Sequence, residues 1–387
     1  MEKFEILKNK KVMVAMSGGV DSSIAAFLLK SAGCEVSGAT MCLGIESSEG
    51  EVKTSSGSIK IPPVDAKKVC LALGIPHYSF DFSSEMKKFV IEGFIKSYME
   101  GFTPNPCVLC NKFLKFDLLL KKAKSLGFDL LATGHYADIT EIKGRLFLKK
   151  PADRIKDQTY FLYSIKKENL KDIIFPLAKH TKAEVRDIAL KASLPSAEKD
   201  ESQEVCFIPD NNYGNFIENN TKKSLNISGS VLNTEGKVIG KHKGIAYYTI
   251  GQRKGLGISA PEPLYVVDID SSKNEIVLGT RQHIRKKKLI ACELNLFAGK
   301  LPLRAFAKIR YNHKESGCTI SGSTSNYLTP KNSGNENIKN REFLQTENPE
   351  IEVVFDDFQE AITPGQSIVF YDQDILIGGA VIRKVIS

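Results

Sequence analysis

The stretch KVMVAMSGGVDSSIAAFLLKSAG (Lys11–Gly33) decides the architecture of the first half of this chain. Lys11–Met16 is a short apolar run, the length of a buried strand. SGGVDS follows, and Ser23–Gly33 then spaces its apolar residues as a helix that stops at Gly33. In the turn between them, Gly18 and Gly19 let the backbone approach a ligand and expose its N–H groups. Ser17 and Ser22 add hydroxyl donors, and the start of the helix adds partial positive charge. The combination predicts a phosphate cradle, against the plainer reading of a bare α/β turn in which Gly–Gly is common. Two details favour the cradle. The loop lacks the lysine of a Walker A sequence, so it is not an ordinary P-loop. It does carry Asp21, a carboxylate suited to Mg²⁺ beside phosphates.

Working outward, EVSGATMCLG (Glu35–Gly44) reads as a second strand and DAKKVCLALGI (Asp65–Ile75) as an amphipathic helix leading into PHYSFDF. NKFLKFDLLLKKAKSLG (Asn111–Gly127) reads as a helix with Gly127 just past its end, and FDLLATGHY (Phe128–Tyr136) as a strand. This alternation, sustained to about residue 190, predicts a doubly wound parallel sheet with helices on both faces. The character changes after about Asp210. A Gly-rich region of short strands follows, with a hairpin around Ser271–Asn274. From Leu289 strand follows strand, and a small β-barrel is the natural closure. The expected division is a catalytic domain over 1–210, a central β-rich domain over 211–288 and a C-terminal barrel over 289–387. An Asn/Ser/Lys-rich segment, Ser321–Pro349, reads as an insertion in a barrel loop.

The chain has 387 residues, 42% of them hydrophobic and 26% charged, which describes a folded protein of more than one domain. No apolar run approaches the ~20 residues needed to span a bilayer, and the N-terminus lacks the features of a secretory signal. The eight cysteines then suggest the reducing cytosol and free thiols. A net charge of +9 favours nucleic acid only weakly by itself. The densest basic run, Arg281–Ile290, is open to two readings, a solvated strand edge or a patch that tracks phosphates.

TPNPCVLCNK (Thr103–Lys112) places Cys107 and Cys110 one helical turn apart. A Cys-x-x-Cys pair points to zinc, a dithiol centre or an iron–sulfur cluster. Zinc ribbons carry a second pair, and this chain has none. Cys34, Cys42, Cys70, Cys292 and Cys318 read as core thiols, as does Cys206 in its apolar setting VCFIP.

SGGxDS resembles the PP-loop of the ATP pyrophosphatase superfamily, which holds the pyrophosphate released when ATP adenylates a substrate. With TPNPCVLCNKFLKF, ATGHYADI, KDQTYFL, SQEVCFIP and YTIGQRKGLGI, in that order, the chain resembles the tRNA-specific 2-thiouridylases. The resemblance covers nearly all of the chain except Ser321–Pro349. It implies ATP-dependent 2-thiolation of the wobble uridine of tRNA, by adenylation of the C2 oxygen and sulfur transfer to C2, in the cytoplasm. ATP contacts fall on Ala15, Met16, Ser17, Gly18, Gly19, Val20, Asp21, Ser22, Met41 and Gly134, with Mg²⁺ as companion. The target base falls on Asn105, Pro106 and Cys107. The tRNA falls on His135, Lys156, Asp157, Gln158, Arg310, Tyr311 and Gln366. Singly, each of these seven has a plainer reading, as a strand-end residue, a solvated turn, an exposed strand pair or a turn-completing glutamine.

The resemblance also implies that Cys206 carries a persulfide received from a cysteine desulfurase or sulfur relay protein. Cys110 then either releases hydrosulfide from it or resolves the adduct by forming a disulfide. Many members have Asp where Cys107 stands, so no carboxylate role transfers here. Members with this Cys-x-x-Cys and a distant third cysteine are associated with a [4Fe–4S] cluster, which makes Cys107, Cys110 and Cys206 candidate ligands. Two other functions compete. A different PP-loop adenylating enzyme, of nucleotide synthetase type, would need a metabolite pocket in place of the basic β-rich half. A non-catalytic RNA-binding protein would need neither SGGVDS nor convergent cysteines.

Overall fold

The computed structural model describes residues 7–44, 51–54, 57–60, 64–197, 205–208, 212–221, 227–322 and 350–386. The chain divides into two compact units. The first comprises Met1–Glu100, Asn105–Leu225 and Gln373–Leu376, and the second Gly101–Pro104, Asn226–Asp372 and Ile377–Ser387.

In the first unit β1 (Lys11–Ala15) leads through the SGGVDS turn into α1 (Val20–Ser31). Val12, Met13 and Val14 are all buried, so both faces of β1 are covered, as expected of a parallel sheet. β2 (Glu35–Cys42), α2 (Val64–Leu73) and β3 (His77–Asp81) follow, then β4 (Leu130–Ala132). β1 pairs in parallel with β2 on one side, Val14 opposite Gly38, and with β4 on the other, Val14 opposite Ala132. The chain thus leaves β1 in one direction and returns on its other flank. That makes the carboxyl end of β1 a topological switch point, where open α/β sheets bind ligands. The five-stranded sheet ends on Ile173–Ile174 beside β4.

Ile24, Ala25 and Leu29 of α1 are wholly buried against Val69 and Cys70 of α2 and against Val185 and Ala189, which lie on the helix Lys182–Lys191. Burying each of the larger aliphatics here, Ile24, Leu29, Val69 and Val185, contributes about 2 kcal/mol. α1 ends at Gly33, whose φ of +81° and neighbouring Cys34 N–H to Leu29 carbonyl bond (3.1 Å) close the helix as the sequence predicts.

Two departures bear on the site. The helix expected over 111–127 is not uniform: α3 (Pro106–Leu109) passes into a π-helix, Cys110–Leu119, and then into α4 (Leu120–Ser125). Apolar spacing does not distinguish these windings, and π-helical segments concentrate at functional sites. The βα alternation also breaks at Asp138. There β5 (Asp138–Ile142) and β6 (Arg145–Lys149) form an antiparallel hairpin, because Lys143 and Gly144 both adopt positive φ, as a primed two-residue turn requires.

The second unit contains a four-stranded sheet of β7 (Gly229–Asn233), β8 (Val238–His242), β9 (Tyr265–Asp270) and β10 (Glu275–Gly279). Its own core includes Val231, Val266, Ile276 and Leu278. The hairpin expected at Ser271–Asn274 is present, with Asp270 accepting from the N–H groups of Ser272 and Lys273. The same unit holds nearly all of the expected barrel: β11 (Arg285–Leu296), β12 (Leu303–Lys308), β13 (Ser316–Gly322), β14 (Ile351–Glu360), β15 (Ser367–Asp372) and β16 (Ile375–Ile386, of which Ile377 onward belongs to this unit), closed by pairing of β11 with β16. Ser321 and Gly322 belong to β13, so the insertion begins after Gly322, and residues 323–349 lie outside the described residues.

Candidate active site

The nucleotide loop is held by its own short bonds. Ser22 Oγ donates to the Gly19 carbonyl (3.2 Å) and accepts from Ser17 N–H (3.3 Å), and Ser23 Oγ donates to the same carbonyl (2.8 Å). Gly19 stands at the N-cap of α1 without a side-chain capping bond, so the first amides of the helix carry its positive end. Gly18 has φ of +79°, and a Cβ there would lie 2.9 Å from Asp65 Cβ. Gly134, just beyond β4, approaches closer still: a Cβ would lie 2.6 Å from Ser22 N and 2.7 Å from Asp21 C. Met41 is near the carboxyl end of β2, so the residues expected at ATP gather at the carboxyl ends of three adjacent strands.

Asp21 is more engaged than the sequence suggests. Its Oδ1 accepts from Lys182 Nζ (2.7 Å) and from Tyr136 Oη (2.9 Å). Lys182 opens α5 (Lys182–Lys191), whose N-terminus is fixed by a reciprocal capping box between Thr181 and Glu184. Neither Lys182 nor Tyr136 is singled out by sequence reasoning. The T-x-x-E of the capping box announces the helix start, but not that its first side chain reaches the loop.

The cysteine-bearing helix begins with Asn105 as N-cap, its Oδ1 accepting from Val108 N–H, and Pro106 at the first helical position. Cys107 is exposed and Cys110 buried. Cys206 is exposed in a short turn anchored by Phe207, which packs edge-on against Phe94 and against Phe216. Cys107 and Cys206 have open surface but are crowded by protein, and that desolvation dominates their acidity. It raises the thiol of Cys107, raises that of Cys110, and pushes Cys206 up to about 11. Cys110 and Cys107 add to the rise at Cys206, so the three thiols share one electrostatic neighbourhood. Lys115 opposes the rise at all three and also disfavours the protonated form of His135, lowering its pKa after the larger effect of burial. Lys115 lies on the π-helix and is another residue that sequence reasoning passed over. All eight cysteines are free thiols, and Cys70 is a core thiol under Gly38, as expected.

One tripeptide joins the two halves of the site. Gly134 abuts the nucleotide loop, Tyr136 bonds to Asp21, and between them His135 packs tilted against Phe116, a residue of the π-helix that starts at Cys110, with ring centroids 5.8 Å apart. His135 Nδ1 bonds with Thr133 Oγ1 (2.7 Å), and burial keeps the imidazole neutral at pH 7.

The residues expected at RNA divide. Lys156 is half-buried, while Gln158 binds Tyr136 twice, its Oε1 accepting from Tyr136 N–H and its N–H donating to the Tyr136 carbonyl. Asp157 is 4% exposed, and its carboxylate accepts from the N–H and hydroxyl of Thr159. The carboxylate shapes the turn from inside. In the second unit Arg310 and Tyr311 lie beyond the end of β12, with Arg310 Nη2 donating to the Glu360 carbonyl (2.9 Å). Gln366 Nε2 donates to the carbonyls of Thr103 (2.9 Å) and Pro104 (3.4 Å). The basic run is largely partnered: Arg281 pairs with Glu360 and Lys288 with Glu352, and Arg285 and Lys287 lie over the Phe358 ring.

The chain is similar to known proteins along nearly its whole length. A family model described as a tRNA methyl transferase HUP domain matches residues 10–210, one described as a tRNA methyl transferase PRC-barrel domain matches 214–280, and one described as an aminomethyltransferase beta-barrel domain matches 337–382. The tRNA-specific 2-thiouridylase MnmA of Acetivibrio thermocellus is 45% identical over 383 residues, covering 97% of this chain and 100% of that protein. Its counterpart in Clostridioides difficile is 44% identical, covering 97% and 99%. Among solved structures, the U34-tRNA thiolase NcsA from Methanococcus maripaludis with its [4Fe-4S] cluster matches 56% of this chain and 68% of its own at 21% identity and a TM-score of 0.34, too distant to carry chemistry across. On the strength of the near-complete matches, the chain belongs to the tRNA-specific 2-thiouridylase family.

Proposed function

We propose that this protein is an ATP-dependent tRNA-uridine 2-sulfurtransferase that acts on the wobble base. Adenylation occurs at the SGGVDS loop and sulfur chemistry at Cys110 and Cys206. The observation that carries this reading is the Gly134–His135–Tyr136 bridge, which ties the loop to the cysteine-bearing helix. A metabolite synthetase has no need of thiols beside its nucleotide loop, and a passive RNA binder has no need of the loop.

The C2 carbonyl of uracil resists sulfur attack because oxide is a poor leaving group. Attack of its oxygen on the α-phosphorus of ATP breaks the bond to pyrophosphate and gives a C2–O–AMP adduct. Ser17 to Ser22 hold the pyrophosphate, while Asn105, Pro106 and Cys107 face the base. A Cys206 persulfide, loaded by a cysteine desulfurase or sulfur relay protein, then supplies its outer sulfur to C2, and AMP departs with the original oxygen. The Cys110 thiolate attacks the Cys206 sulfur, either before this step to free hydrosulfide or after it to free the thiolated base. The two thiols end as a disulfide, which a thiol reductant must reopen. Desolvation raises both thiols, and Lys115 favours the thiolate of each during transfer, with a backbone hydrogen bond adding to this at Cys206.

Mg²⁺ fits as companion of the ATP phosphates, with Asp21 as its carboxylate and Lys182 as that carboxylate's present partner. When bound it neutralises phosphate charge. The second reading makes Cys107, Cys110 and Cys206 ligands of a [4Fe–4S] cluster, and the third thiol is what favours it. As arranged here the thiols do not fit one, since the described residues contain no group of three metal-ligating side chains able to hold a metal ion. No step is therefore routed through it.

Residues 1–210 would be the catalytic domain, 211–288 a central tRNA-binding domain and 289–387 a barrel that completes the RNA contact through Arg310, Tyr311 and Gln366. Lys156, Gln158 and His135 would serve the RNA from the first unit. Among the described residues no helix is long and apolar enough to cross a membrane, and we place the enzyme with its tRNA in the cytoplasm.

The test is tRNA-dependent release of pyrophosphate from ATP by the wild type and the single variants Cys110→Ser and Cys206→Ser. Both variants should retain pyrophosphate release and lose persulfide-supported thiolation. Undiminished thiolation in either would remove that cysteine from the scheme. Iron bound after anaerobic reconstitution and lost in Cys107→Ser would favour the cluster instead.

A further inference from the structure

The nucleotide loop has no lysine of its own, yet the protein brings one to it. Lys182 lies 161 residues from Asp21 in sequence, and its Nζ sits 2.7 Å from Asp21 Oδ1 with only 11% of its side chain exposed. Its backbone is fixed from three directions. Lys182 N–H donates to Asp153 Oδ2 (2.8 Å), Thr181 N–H donates to Glu184 Oε2 (2.7 Å), and Glu184 N–H donates to Thr181 Oγ1 (3.3 Å). The ammonium is carried to the loop on a four-carbon stem. A nearly buried cation is costly without an anion beside it, and Asp21 meets that need. Tyr136 Oη holds the same carboxylate oxygen, so Asp21 cannot readily turn to follow the lysine.

We propose that Lys182 supplies the cation that the loop sequence lacks: its ammonium, held at the loop by Asp21, pairs with the ATP phosphate oxygens that leave as pyrophosphate. The loop's amides and hydroxyls alone would face several negative charges with partial positive charges only. A point charge on a flexible stem suits phosphate oxygens whose positions change as the bond to the α-phosphorus breaks. Asp21 then has two tasks, since it positions the lysine and competes with phosphate for it. The inference rests on the ATP-dependent reaction proposed above and assigns a residue within it. A purely structural role, tying α5 to the loop, is the alternative that the test must separate.

The test compares the affinities of the wild type, Lys182→Met, Lys182→Arg and Asp21→Asn for inorganic pyrophosphate and for AMP. Calorimetry in EDTA keeps Mg²⁺ out of the measurement, and each variant's Tm is taken in parallel. Lys182→Met should weaken pyrophosphate roughly ten- to a hundred-fold, leave AMP and Tm near wild type, and be partly rescued by Lys182→Arg. Asp21→Asn frees the lysine and should keep or tighten pyrophosphate binding. Unchanged pyrophosphate affinity in folded Lys182→Met would overturn the proposal, as would a parallel fall of pyrophosphate, AMP and Tm. If Lys182→Met does not fold, Lys182→Gln takes its place, and unchanged pyrophosphate affinity in that variant overturns the proposal. A wild type without tRNA-dependent ATP turnover would sink the underlying activity, and the calorimetry would still judge Lys182.

Discussion

Gly134→Ala probes the junction on which the site depends. The new Cβ would stand 2.6 Å from Ser22 N, 2.7 Å from Asp21 C and 3.0 Å from Asp21 O. Ordinary contact begins near 3.4 Å, so β4 and the loop must part by about 0.8 Å. All three neighbours are backbone atoms, so no side chain can rotate away to absorb the overlap. Overpacking of this kind costs about 1–3 kcal/mol, which leaves a folded protein. The functional cost should be larger in proportion. A shift of that size stretches a good hydrogen bond beyond its useful range, and misplacing a reacting group by about 1 Å costs on the order of a hundred-fold in rate. The expectation is kcat/KM for ATP down roughly a hundred-fold, tRNA affinity unchanged, and a modest fall in the urea midpoint. Pyrophosphate release assayed at saturating tRNA measures the first, and filter binding the second. Wild-type kcat/KM for ATP in this variant would refute the close packing of Gly134 on the loop as the basis of the site.

Arg310→Ala should weaken tRNA binding and reduce its salt slope by about one, leaving ATP turnover at saturating tRNA intact. An unchanged slope would take Arg310 out of the RNA contact. Stability should fall in alkali. Burial pushes Cys70 up to about 11 and Cys318 up to about 12, from 9.0. Above pH ~9 the unfolded chain therefore gives up protons that the folded chain retains, and stability declines as pH rises toward the folded values. Urea midpoints should show this decline, with a smaller slope in Cys70→Ala. A slope unaltered by that change would show that Cys70 ionises freely in the folded protein.

The βα alternation and the barrel strands were legible because their patterns are local: Val12–Val14 in a single apolar run, Gly33 and Gly127 closing helices, and short strands in succession after Leu289. The cradle was legible for the same reason, since Ser17 to Ser22 are contiguous. What escaped reading depends on distance or on winding. Lys182 reaches Asp21 across 161 residues, and no local pattern encodes that pair. The π-helical winding that carries Cys110 and Lys115 leaves the apolar spacing nearly helical, so periodicity reads it as ordinary helix. Asp157 sits in a polar string, KDQT, that reads as a solvated turn. Its burial follows from bonding inward to Thr159, which composition does not reveal.

The central claim is that one chain couples ATP cleavage to sulfur insertion at a tRNA base. Its most direct test is a single reaction with α-labelled ATP, unmodified tRNA and a persulfide donor, scored for AMP and, by mass spectrometry of the digested tRNA, for 2-thiouridine. The account predicts AMP and 2-thiouridine in equal amounts, neither forming when tRNA or ATP is omitted. Thiolated tRNA without AMP, or AMP accumulating with wild-type enzyme and donor while no thiouridine appears, would contradict it.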